Sequence, residues 1–370
     1  MKLVIRADAA REIGTGHVMR MLALAQAWVD RSLFGGTVNG IDRASSGVTF
    51  ICAKIPDALA QRLRDESFEV RYINADPGSR EDLEQTLAIA SSVFADRKSG
   101  PAWIVSDGYA FDASYQRGIR SAGYKLLVVD DYHHLPEYEC DILLNQNIGA
   151  EKYTYRINQD ALQLMGTAYA LLRREFRVTR ERNSKDWKPR ESGVPIIGKN
   201  VLITMGGADE HNVTQKVLEA IVDAGFKNLR IKVLIGAANP HRLNLENLLK
   251  KHHVSVSIIS AVNDMPGLID WADIAVAAAG STCLELACFG IPMIQVIIAD
   301  NQREIAREFE RRQIAFSVGE GTNIDWAKLK NSLVKYFEEP TLAGSMVKRG
   351  QQLVDKDGAF RVCQSISNEN

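Results

Sequence analysis

The sequence predicts an α/β protein of two facing Rossmann-like domains with an interdomain cleft. Three observations carry that expectation. Short apolar runs alternate with helical patterns, the alternation breaks at a charged stretch and then restarts, and glycine-bearing turns stand at strand-to-helix junctions. A chain of 370 residues is long enough for two domains of ordinary size.

The first half supplies the runs KLVIRAD, VTFICA, EVRYIN, AWIVSD, KLLVVDD and CDILLNQN. Most are continuously apolar without alternation, as buried parallel strands are. Helical spacing lies between them, for example over 17–29 and 80–95. Residues 31–47 are rich in Gly and Ser and read as an inserted surface loop. The charged stretch 173–193, with its proline, reads as part of a solvated linker. The pattern then restarts with NVLITMGG, LRIKVLIG, VSVSIIS, ADIAVAAAG and IPMIQVII. The expected division is a first domain over 1–177, a linker over 178–197 and a second domain over 198–340. A helical segment over 341–368 is expected to pack back on the first domain.

Bulk properties narrow the function. Composition is ordinary for a globular chain, with 46% hydrophobic and 25% charged residues. The net charge of −1 provides no field for nucleic acid. No apolar run reaches the roughly 18 residues that span a bilayer, and MKLVIRADAA has no secretory pattern, so membrane insertion is not expected. Cys52, Cys140, Cys283, Cys288 and Cys363 are scattered and odd in number, against a disulfide framework and for a reducing cytoplasm.

Three turns carry candidate chemistry. IGTGH contains Gly14 and Gly16 and ends on His17 at the head of a helix; TMGGADEHN contains Gly206 and Gly207; AAAGSTCLELACFGIP contains Gly280, Ser281 and Thr282. A helix N-terminus presents unpaired N–H groups and about half a positive charge. Three such turns on one cleft could hold a diphosphate without a metal; close packing of strand on helix is the competing reading for each. Thr282 and Glu285 form T-x-x-E, which fits either a capping box or a carboxylate receiving two ribose hydroxyls.

The segment VNDMPGLIDWADIAVAAAGSTCLELACFGIPMIQVIIADNQ (262–302) resembles the nucleotide-binding segment of glycosyltransferases of the GT-B fold. IRADAAREIGTGHVMRMLALA, IVSDGY, VVDDYHHLPEYECDILLNQN and MGTAYALLRREF together are similar to PseG/SpsG-type UDP-sugar hydrolases, over most of 1–177 and 198–320. The resemblance implies hydrolysis of UDP-2,4-diacetamido-2,4,6-trideoxy-β-L-altropyranose, or a close relative, in pseudaminic acid synthesis. It implies His17 as the base that activates water. Gly14, Gly16, Asp107, Tyr109, Asn301 and Gln302 would be substrate contacts. Gly206, Gly207, Gly280, Ser281 and Thr282 would face UDP, with Met265 by the uracil and Glu285 on the ribose. It implies no cofactor and no metal. The 31–47 insertion, the charged linker and the C-terminal extension depart from the family pattern and leave the precise sugar open.

A histidine suits that role. UDP is a good leaving group, so the reaction needs a base more than the paired carboxylates of ordinary glycosidases. Imidazole titrates near neutral pH, and a helix N-terminus favours its uncharged form. Attack from the face opposite UDP predicts inversion at C1. Two other functions compete: a GT-B glycosyltransferase delivering the sugar to an acceptor, and a sensor that binds a nucleotide sugar without reacting.

Other clusters carry less. DDYHH (130–134) is read as sugar contacts or loop hydration rather than a metal site, since its spacing is irregular. His252 and His253 suit a helix C-terminus. Cys283 and Cys288 read as small buried hydrophobes. RREFR (173–177) reads as a solvated linker face.

Overall fold

A computed structural model describes residues 2–10, 13–34, 47–95, 100–183, 199–207, 209–236, 239–249, 255–260, 262 and 264–369. Most of the expected 31–47 insertion, most of the 178–197 linker, and His252 and His253 lie outside the described residues. The chain divides into two compact units, one of residues 1–174 with 357–370 and one of residues 175–356.

In the first unit the elements run β1 (Leu3–Ala7), α1 (Gly16–Phe34), β2 (Val48–Cys52), α2 (Asp57–Asp65), β3 (Glu69–Tyr72), α3 (Arg80–Phe94), β4 (Trp103–Asp107), α4 (Ala113–Ser121), β5 (Lys125–Val129), β6 (Ile142–Asn145) and β7 (Leu162–Met165). Among the described residues these strands form one parallel sheet in the order β3-β2-β1-β4-β5-β6-β7. Both faces are covered, which is why the central strands need no polar alternation. Leu3 and Ile5 join Val18, Met21 and Leu22 of α1 in one core, while Val4 joins Ile104, Leu126 and Phe94 in the other. Each such aliphatic side chain stabilises the fold by about 1.5–3 kcal/mol on burial. Arg6 interrupts β1 with a buried charge. Its guanidinium meets Asp82 through two hydrogen bonds of 3.0 and 2.6 Å and lies 2.8 Å from Asp8.

The stretch expected as a solvated linker is helical at its start, α5 (Arg174–Asn183). Arg174 binds Asp30 and Glu66, and Phe176 is buried edge-on against Phe289. An aromatic anchor and specific ion pairs set these residues apart from a linker, despite their charge.

The second unit continues with β8 (Asn200–Thr204), α6 (Val213–Asp223), β9 (Arg230–Ile235), α7 (Arg242–Leu249), β10 (Ser255–Ser260), α8 (Met265–Trp271), β11 (Ile274–Ala278), α9 (Thr282–Phe289), β12 (Met293–Ile297), α10 (Arg303–Arg311), β13 (Ala315–Glu320), β14 (Asn323–Ile324), α11 (Trp326–Glu338) and α12 (Pro340–Leu353). Its described strands order as β10-β9-β8-β11-β12-β13-β14, parallel except for β13–β14. The sequence reading missed β7 and β13. Both are only partly buried, so neither shows a continuous apolar run.

The C-terminal segment is not one helix on the first unit. α12 packs on α9 in the second unit, and only α13 (Gly358–Asn368) lies on α1 in the first. At the start of α13 a Cβ on Gly358 would stand 2.4 Å from the Ala170 carbonyl oxygen, so the helix approaches that backbone as closely as it does only with glycine. The five cysteines are unbridged and buried. Among the described residues no helix is long and apolar enough to cross a membrane.

Candidate active site

In the first unit the strand order reverses between β1 and β4, the place where open parallel sheets bind ligands beyond their carboxyl ends. The chain leaves β1, turns at Gly14 with φ of +78°, and enters α1 at Gly16. His17 is the second residue of that helix. β4 ends on Asp107 beside it.

Asp107 lies 2.7 Å from His17 Nδ1. With Nδ1–H donating to that carboxylate, Nε2 carries the lone pair. Arg20, one turn along α1, donates Nε and Nη2 to Asp107, each at 2.6 Å. The same guanidinium donates Nη1 and Nη2 to Asp131, just past β5, at 2.6 and 3.0 Å. Asp131 also receives the Tyr109 hydroxyl at 2.6 Å and Asn147 Nδ2 at 2.9 Å. The circuit closes where the Tyr109 ring meets the imidazole edge-on, centroids 5.0 Å apart.

The charges in this circuit hold one another. Burial pushes the Asp107 carboxyl up, but the positive charge of Arg20, with hydrogen bonds from Arg20 and the His17 ring, outweighs it and holds Asp107 far below the usual carboxylate range. Asp131 behaves likewise: burial opposes ionisation, and the charge and hydrogen bonds of Arg20 win. Burial alone would weaken the charge on Arg20, yet the two aspartates hold it more firmly than in water.

Asp107 was expected among the substrate contacts. It is 0% exposed, with both oxygens hydrogen-bonded to His17 and Arg20. His17 itself retains 7% of its surface, and Tyr109 is 37% exposed. The sequence reading passed over Arg20 and placed Asp131, within DDYHH, among sugar contacts or loop hydration. The available signal was GHVMR, which sets His17 and Arg20 three apart on one helical face.

In DDYHH the two aspartates are buried, while Tyr132 is 37% exposed. Asp130 is fully buried and accepts the His133 amide, the His134 ring and the hydroxyls of Tyr138 and Tyr155 at 2.8 and 2.7 Å. Burial opposes ionisation there too, but these donors lower the Asp130 carboxyl to about 2. His134 stacks edge-on against the side chain of Tyr109, at 5.2 Å between centroids.

In the second unit the order reverses between β8 and β11, and the expected nucleotide residues follow the ends of its strands. Gly206 turns with φ of +77° after β8. Gly207 touches Gly236 so closely that a Cβ on Gly236 would sit 2.1 Å from its carbonyl oxygen, which fits the packing reading of this turn. Nor does α6 offer its first amides: Asp209 accepts those of Val213 and Thr214 at 2.7 and 2.9 Å. The turn after β11 differs. Ser281 is the exposed N-cap of α9 and makes no side-chain cap bond. Thr282 is already helical, so T-x-x-E is not a capping box here. Glu285 is half-buried one turn in.

Asn301 and Gln302 form a single 3-10 turn after β12; Gln302 accepts the Ile298 amide at 3.0 Å, and its Nε2 stands 3.7 Å from a Cβ on Gly280. Met265 opens α8 after β10, next to the capping Asp264. The structure thus brings together His17, Asp107 and Tyr109 in one unit. In the other, Gly280 and Gln302 are close neighbours, and Gly206, Gly207, Ser281, Thr282, Glu285, Asn301 and Met265 follow strands of the same sheet.

Residues 200–360 match the glycosyltransferase family 28 C-terminal domain. The chain is 25% identical over 319 residues to an uncharacterised protein of Methanocaldococcus jannaschii, covering 84% of this chain and 59% of that protein, so it spans less than two thirds of that relative's length. It is 24% identical over 366 residues to the spore coat polysaccharide biosynthesis protein SpsG of Bacillus subtilis, covering 98% and 96%. It is 23% identical over 257 residues to the UDP-2,4-diacetamido-2,4,6-trideoxy-beta-L-altropyranose hydrolase of Campylobacter jejuni, covering 68% and 76%. Among solved structures, MurG of Acinetobacter baumannii superposes with a TM-score of 0.61 over 100% of both chains at 14% identity. The fold is GT-B.

Proposed function

We propose that this PseG/SpsG-type GT-B chain is a UDP-sugar hydrolase. The observation that carries the reading is the buried Asp107–His17 pair at the sheet's reversal point. His17 Nε2 takes a proton from water as the water oxygen bonds to the anomeric carbon. The bond from that carbon to the diphosphate oxygen breaks, and its electron pair leaves with UDP. The free sugar forms with inverted configuration. Asp107 keeps the imidazole in the accepting tautomer and stabilises the imidazolium as it forms. General-base help of this kind is worth about a hundred- to ten-thousandfold in rate.

The second unit supplies the nucleotide contacts in this reading. Ser281 at the uncapped start of α9 and Gly280 meet the diphosphate, Glu285 receives the ribose hydroxyls, and Met265 lies by the uracil. Gly14, Gly16 and Tyr109 contact the sugar, with Asn301 and Gln302 reaching sugar or phosphate. The substrate is UDP-2,4-diacetamido-2,4,6-trideoxy-β-L-altropyranose or a close relative, which is the sugar named for the Campylobacter relative. No cofactor is invoked.

A second reading, sugar transfer to an acceptor, is favoured by the family 28 match. Incubation of the purified protein with the UDP-sugar alone separates the two. UDP release without acceptor, with the product anomer followed by NMR, supports hydrolysis. Strict dependence on an acceptor overturns it.

A further inference from the structure

We propose that Asp131 is a positioning residue that governs proton uptake by His17, acting through Arg20. The inference deepens the hydrolase reading and rests on His17 as its base. Asp131 makes no hydrogen bond to His17. It shares one guanidinium with Asp107, which does.

Charge in a buried place couples the two residues. Asp107, Asp131 and Arg20 each keep less than a tenth of their side-chain surface exposed. Two carboxylates and one guanidinium leave the cluster at −1 while His17 is neutral. A proton on His17 brings the cluster to zero. Without Asp131 the remaining pair would already be neutral, and protonation would create a positive charge with Arg20 Nη2 3.1 Å from Nδ1. Buried charges interact far more strongly than exposed ones, so this difference falls directly on the base.

Among the described residues, the charged and titratable groups packed around His17 all enter this balance. Arg20 and the start of α1 oppose the proton. Asp107 from the end of β4 and Asp131 from beyond β5 favour it. Tyr109 covers the ring and gives its hydroxyl to Asp131, with His134 against the tyrosine's ring. Asp131 thereby offsets Arg20 and the helix start, while the planar fork of Arg20 fixes where Asp107 can stand.

The test is an NMR titration of the His17 ring in the full-length protein, alongside the pH dependence of kcat/KM for UDP release. In Asp131→Asn the His17 midpoint falls by about half a unit or more, a threefold loss of proton affinity. The acid limb of kcat/KM moves down with it, and Asp131→Glu restores both. Arg20→Gln moves the midpoint the opposite way, upward, which a purely structural role does not produce. A folded Asp131→Asn protein with an unmoved midpoint overturns the proposal. Should that variant not fold, an Arg20→Gln midpoint that stays put or falls overturns it equally. Turnover that survives His17→Ala overturns the hydrolytic reading instead, and the titration still judges Asp131.

Discussion

Asp107, the last residue of β4, holds Nδ1 of His17, the second residue of α1, at 2.7 Å across the point where the sheet's strand order reverses. The pair joins two segments 90 residues apart in sequence. His17→Ala is expected to bind UDP normally and to lose turnover by about a hundred- to ten-thousandfold. Asp107→Asn is expected to lose turnover over the same range, because the amide can hold the wrong tautomer. UDP release and calorimetric UDP titration check both. Normal turnover in His17→Ala removes that residue from the chemistry.

Glu285→Gln is expected to weaken UDP binding by about ten- to a hundredfold, since hydrogen bonds to charged groups contribute about 1.5–3 kcal/mol. Calorimetry with UDP reads the affinity, and an unchanged Kd removes the ribose contact.

Arg6 is a test of the framework rather than of the chemistry. Arg6→Ala leaves Asp82 and Asp8 without their buried cation. Removing one partner of such a pair costs about 3–5 kcal/mol. The urea midpoint followed by circular dichroism should fall accordingly. A loss under about 1 kcal/mol would show the network to be relaxed enough to admit water.

Acid should destabilise the first unit in a defined window. Asp82, Asp107, Asp130 and Asp131 are all held below the ordinary carboxylate range: burial pushes each up, and Arg6, Arg20 or neutral donors outweigh it. Carboxyls depressed in the folded state contribute stability that is fully present above their unfolded value, about pH 4. That stability is lost as the pH falls from there through the folded values. Their contribution to Tm should therefore be flat from pH 7 to about 5 and decline steeply below about 4. Asp130→Asn should flatten part of the decline. A decline confined to pH 5–7 would point to histidines instead.

Continuous apolar runs such as LLVV in β5 and IAVAA in β11 made the central strands legible, because strands covered on both faces carry no alternation to confuse the reading. The partly exposed strands β7 and β13 carried no such signal. The place of His17 after glycines at a helix head was legible locally, while its role as a base was implied only by the family resemblance. The expected phosphate role of the second turn was weakened by Asp209, whose reach to Val213 and Thr214 depends on how the loop folds back.

The sequence by itself determined two α/β repeats, the glycine turns after their strands and the histidine at the head of α1, since all of these are written in residues near one another. Only the tertiary structure decided that Asp107 meets both His17 and Arg20, that Arg20 binds two aspartates at once, and that α12 lies in the second unit and α13 in the first. Those outcomes depend on parallel strands bringing their carboxyl ends side by side, which places charges far apart in the chain within hydrogen-bond reach and out of water.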